Sequence, residues 1–82
     1  MDALELQQAI AIKLARQNIN ITNITDEFVL FDFQFRLRNG QARWAKMFYK
    51  RDPQNDSIRT MVDDILEIVR ATRMEVEENE WK

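Results

Sequence analysis

Histidine and cysteine are both missing from the sequence, which removes the usual general base near neutral pH, the commonest zinc ligands and every thiolate nucleophile. The only serine, Ser57, stands where a helix cap is expected, so a hydrolytic triad is excluded. The only glycine, Gly40, follows Asn39 in a turn signal, so no glycine-rich phosphate loop is available. Carboxylates are the remaining route to acid–base chemistry. Asp63, Asp64 and Glu67 fall on the polar side of a helical pattern, and Asp32 stands in a strand between Phe31 and Phe33. Solvation or ion pairing accounts for each of them. Asp52, Asn55 and Asp56 lack the spacing and the glycine of a calcium loop. The expectation is a protein that is not an enzyme and uses no metal and no cofactor.

Binding chemistry is better provided for. Residues 36 to 51 carry Arg36, Arg38, Arg43, Lys46, Lys50 and Arg51 with no acid, a net +6, whereas residues 1 to 35 carry −3 and residues 52 to 82 carry −5. The formal charge of −2 is therefore a cancellation between a basic centre and acidic flanks. A tight type I′ turn at Asn39-Gly40 sets Leu37 opposite Ala42, Phe35 opposite Trp44, Phe33 opposite Lys46 and Phe31 opposite Phe48. On the other face it sets Arg36 opposite Arg43, a like-charge pair that costs stability unless an anion lies near. Arg36, Arg38, Arg43 and Lys46 are thus the candidate residues for binding a partner or nucleic acid, since an arginine-bearing ribbon is one way to meet a phosphate backbone. The competing expectation is that these arginines pair with the protein's own acids or keep a sheet edge soluble.

The elements that must position these residues are legible from periodicity. Residues 2 to 17 place Ala3, Leu6, Ile10 and Leu14 on one helical stripe, widened by Leu4, Ala11 and Ala15, with Ile12 outside it. Asn18 to Thr25, NINITNIT, ends that helix and offers a short strand through Ile19 and Ile21. Phe28 to Lys50 forms the hairpin. A second helix covers about 55 to 78, with Ile58, Met61, Val62, Ile65, Leu66, Ile68, Val69 and Val76 on its apolar arc. Asp52 before Pro53, or Asp56 or Ser57 if the helix starts later, caps its N-terminus. Arg59 with Asp63, Glu67 with Arg70 and Arg73 with Glu77 are its expected charge pairs.

An 82-residue chain that is 45% apolar, with one Pro and one Gly, makes a single small domain spanning 1–82. Its expected class is α+β, ordered α-β-β-α, or α-β-β-β-α if Asn18 to Thr25 adds a strand. An antiparallel sheet built on the central hairpin packs against two helices. The same order occurs in double-stranded-RNA-binding domains, whose lysines at the start of the second helix have no counterpart here, where Pro53, Gln54, Asn55 and Asp56 stand, so order is all that is shared. With no membrane-length apolar run and no cysteine, a cytoplasmic location is expected.

The hairpin pairing above makes the hairpin base apolar on both faces, with Phe28, Leu30, Met47 and Tyr49 turned away from the helices. That face, with Val76 and Trp81, is the expected interface of a homodimer. The functional expectation is a regulatory or adaptor module that binds another macromolecule as a homodimer. A nucleic-acid-binding hairpin is the alternative, and a mobile-element inhibitor of a host nucleic-acid enzyme, acting through its acidic helix, is a third.

Overall fold

A computed structural model describes residues 3–80, with side chains described for residues 4–76. The elements run α1 (Ala3–Ala15), β1 (Ile19–Ile24), β2 (Phe28–Arg36), β3 (Ala42–Lys50) and α2 (Ile58–Glu80). The class is α+β, with one antiparallel sheet in the order β1-β2-β3.

Glu5 in the first turn of α1 and Lys13 in its last complement the helix dipole. Asn18 takes a φ of 59°, and its N–H donates to the Ala15 carbonyl at 3.1 Å, which stops the helix and turns the chain into β1. Ile10 and Leu14 are fully buried, with Leu6 and Ala11 packed beside them. Leu4 and Ala15 are exposed, so the buried arc is narrower than the periodicity predicts, and Ile12 is exposed as expected.

NINITNIT does form a strand, by a route that alternation alone misses. Ile19 and Ile21 pair with Phe33 and Phe31, but the register then shifts, and Ile24 pairs with Val29. This bulge at Thr22 brings Ile24, rather than Asn23, into the core. The Thr22 hydroxyl donates to the Leu30 carbonyl at 3.0 Å within the irregularity. Thr25 closes the β1–β2 turn, its Oγ1 accepting from the N–H groups of Glu27 and Phe28.

The hairpin between β2 and β3 has a three-residue loop, not the two-residue turn that Asn39-Gly40 predicts. The Gly40 N–H donates to the Leu37 carbonyl at 2.9 Å, and the Leu37 N–H donates to the Gln41 carbonyl at 2.8 Å. Gly40 sits at φ 89°, a value that an L side chain resists. Arg38 and Asn39 therefore form the centre of the turn, and Gly40 is the αL residue that rejoins the ladder. Pairing runs Phe35 with Arg43, Phe33 with Ala45, Phe31 with Met47 and Val29 with Tyr49.

Ser57 caps α2, its Oγ accepting from the Thr60 N–H at 3.1 Å. Asp52 and Asn55 are used instead in the preceding turn, where the Asn55 side-chain amide donates to the Asp52 carboxylate at 2.7 Å. Met61, Val62, Ile65 and Val69 turn into the core against Phe31, Phe33 and Val29 of β2 and the isoleucines of β1. Arg59 meets Asp63 at 4.0 Å, the one ion pair found among the described residues. Both helices lie on one side of the sheet, and the described residues leave the other side open to water, as an antiparallel sheet permits.

Candidate functional site

The one-residue difference in the hairpin loop moves every β3 side chain to the opposite face from the one the tight turn predicts. Arg36 stands opposite Ala42 on the open face, whereas Arg43 stands opposite Phe35 on the helix-facing side. The like-charge pair therefore does not exist. Arg38 lies in the loop, and Lys46 faces outward opposite Asp32. Of the four basic candidates, only Arg36 and Lys46 share the open face. The Arg43 guanidinium donates to the Gln41 side chain at 3.4 Å.

The expected dimer surface is divided in the same way. Phe28 and Leu30 belong to the open face, but Met47 and Tyr49 point under α2 and pack against the core. Val76 is half-buried on α2, and Trp81 lies outside the described residues. Tyr49 is bolted in place: its hydroxyl lies 3.0 Å from Asp56 Oδ1 and 3.0 Å from Asp64 Oδ2. Burial first, and then the two carboxylates, push its phenol well above the ordinary 10.0, so it stays neutral. Asp64 is thereby committed to a structural bond, while Asp63 turns to Arg59.

Among the β3 residues that the tight turn puts on the wrong face, Trp44 and Phe48 are the ones that bear on binding. Both project from the open face, 58% and 59% exposed, with Leu30 beside them at 38%. Along β3 the outward positions read Trp44, Lys46, Phe48, Lys50, alternating ring and cation. Phe28 meets Phe48 edge-on, with ring centroids 5.3 Å apart and planes at 89°, which holds the Phe48 ring in a defined orientation. Between β1 and β3 the face dips into a shallow depression of ≈ 310 Å³ edged by Thr22, Leu30, Asp32 and Lys46. Arg36, Lys46 and Lys50 have no carboxylate partner within ion-pair distance among the described residues. The signal that would have located this face was present: Ala45, Met47 and Tyr49 alternate with Lys46, Phe48 and Lys50, and the first set is the one that buries without stranding a lysine.

Among the described residues no group of three or more Asp and Glu side chains is arranged to hold a metal ion, and no helix is long and apolar enough to cross a membrane. No protein-family model, curated protein or solved structure matches the chain.

Proposed function

We propose that the protein is a non-enzymatic interaction module that offers the open face of its sheet to another macromolecule. The observation that carries this reading is the pair of large aromatic side chains, Trp44 and Phe48, more than half exposed on a face that the described residues of the two helices leave bare. Neither ring is needed by the core, whose twelve buried side chains all lie on or toward the opposite side. Large aromatics exposed together on one face of a small domain mark a contact surface.

Homodimerisation through the same face is the second reading, favoured by the apolar group Phe28, Leu30 and Phe48 at the base of the hairpin. It is placed second because a two-fold interface on this face would enclose Arg36, Lys46 and Lys50 of both copies with only Asp32 of each, among the outward positions of β2 and β3, to balance them. Burying like charges together is costly.

The test compares wild type with the Trp44→Gln/Phe48→Gln double variant as baits in a native lysate, after circular dichroism has shown that both fold alike. Material retained by the wild type should be lost with the variant. Equal recovery by both baits would overturn the assignment of this face.

A further inference from the structure

We infer that the macromolecule bound on the open face is single-stranded nucleic acid, with bases stacking on Trp44 and Phe48 and phosphates meeting Arg36, Lys46 and Lys50. The inference rests on the reading of that face as the binding surface and adds the chemistry of what occupies it.

Three features of the molecule select this occupant. Charge is the first: the outward positions of β2 and β3 carry three cations against one carboxylate, Asp32. The 52–76 segment, which is the turn leading into α2 and the described side chains of α2, instead carries six acids, Asp52, Asp56, Asp63, Asp64, Glu67 and Glu75, against Arg59, Arg70 and Arg73, a net −3. A molecule polarised in this way draws a polyanion to its sheet and repels it from its second helix. Spacing is the second. Trp44 and Phe48 stand four residues apart on one face of one strand, roughly 14 Å at 3.4 Å per residue, with Lys46 between them. Such an order suits a chain that presents base, phosphate and base in turn, and stacking on sheet aromatics is a recurring way to hold unpaired bases. The third is the identity of the cations. A protein partner or a second copy would require Arg36, Lys46 and Lys50 to find carboxylates, and in a second copy the same face brings one for every three cations. A phosphate backbone neutralises all three.

A duplex offers these rings nothing to stack on, because its base faces are already stacked within the helix, so its contact with the face is limited to phosphates and groove edges. The ring faces therefore select single strands over duplex. The ring–cation pattern reads no sugar, so DNA and RNA are separate arms of the test.

The experiment uses the full chain carrying Trp81→Phe, so that Trp44 is the sole indole, and titrates it with oligo(dT), oligo(rU), a duplex of equal length and dextran sulfate. Oligo(dT) or oligo(rU) should quench Trp44 emission, and the duplex and dextran sulfate should not. Phe48→Gln in this background should weaken binding roughly 5- to 150-fold, the range expected for loss of one stacked base. Trp44→Gln, followed by anisotropy of a labelled strand, should do the same, while Trp44→Phe should retain most of the affinity. The slope of log K against log salt should be about −2 for three phosphate contacts, reduced by about 0.7 in each of Arg36→Gln, Lys46→Gln and Lys50→Gln.

Absence of quenching by either single strand at low salt overturns the inference. So does binding that dextran sulfate reproduces and that the aromatic substitutions leave unchanged. If nothing binds here, but lysate capture still depends on Trp44 and Phe48 and survives nuclease, the partner is a protein and only this inference falls. A sedimentation mass that doubles with concentration, and no longer does so in Trp44→Gln, makes the occupant a second copy and likewise overturns it. Loss of both the quenching and the aromatic dependence of capture removes the interaction surface itself.

Discussion

Replacing Arg73 with Ala should be among the most damaging single changes outside the apolar core. Asn18 spends its N–H on Ala15 at the end of α1, so although the Asn18 carbonyl accepts from the Gln34 N–H at 3.0 Å, nothing in β1 returns a donor to the Gln34 carbonyl. Arg73 reaches across from α2 to supply it. Its Nε and Nη2 donate to that carbonyl at 3.0 and 2.6 Å, and Nη2 also donates to the Gln17 carbonyl at 3.0 Å. The guanidinium carbon lies 5.8 Å from the centre of the buried Phe33 ring. One side chain thus ties α2 to the end of α1 and to the central strand. A hydrogen bond involving a charged group contributes about 1.5–3 kcal/mol net, and a partly exposed cation–π contact about 0.5–1 kcal/mol. Water can replace the bond to the exposed Gln17 more readily than the half-buried one to Gln34, so the expected loss is about 3 kcal/mol rather than the full sum. For a domain of this size that lowers Tm by roughly 12–24 °C. Thermal and urea unfolding of Arg73→Ala, Arg73→Lys and the exposed control Arg70→Ala measure it. Lys should recover less than half of the loss, since an ammonium lacks the fork that reaches two carbonyls. A value for Arg73→Ala within about 0.5 kcal/mol of wild type, level with Arg70→Ala, would refute the reasoning.

Two further outcomes follow from the same geometry. Because the folded state raises the Tyr49 phenol above its ordinary 10.0, its contribution to stability is complete below about pH 10 and is lost as the unfolded chain ionises above it. The stability gap between wild type and Tyr49→Phe, read from urea midpoints, should stay constant from neutral pH to about pH 10 and close above it; a gap that does not close would show that burial and the two aspartates do not act on the hydroxyl. The hairpin register is tested by mild oxidation of paired cysteines: Asp32→Cys/Lys46→Cys, directly opposed in the structure, should crosslink readily within a monomer. Asp32→Cys/Met47→Cys, opposed only under a two-residue turn, should not, and the reverse preference would restore that turn.

Much of this molecule is written locally. Apolar periodicity located both helices, Asn18 and Ser57 supplied the start and stop chemistry that bounds them, and the alternating run from Phe28 to Lys50 announced the hairpin. The lack of His and Cys narrowed the available chemistry before any fold was considered. The hairpin register was not local, because Asn39-Gly40 serves two loops: as the pair of central residues in a tight turn, or as the last two of three with Gly40 in the αL position. The turn residues alone do not separate them. Burial does. In the tight turn Lys46 would lie in the core beside Phe33, whereas the longer loop puts Ala45 there and sends Lys46 to water. That exchange of faces removed the opposed arginine pair, turned Met47 and Tyr49 toward the core and left Trp44, Lys46, Phe48 and Lys50 outward on β3. Ile24 enters the core only because of a bulge, and Arg73 finds its acceptors 39 and 56 residues back along the chain. Periodicity describes one element at a time; which face of each strand is buried, and which carbonyl is left for a distant arginine, is decided only when the elements pack and every buried polar group must find a partner.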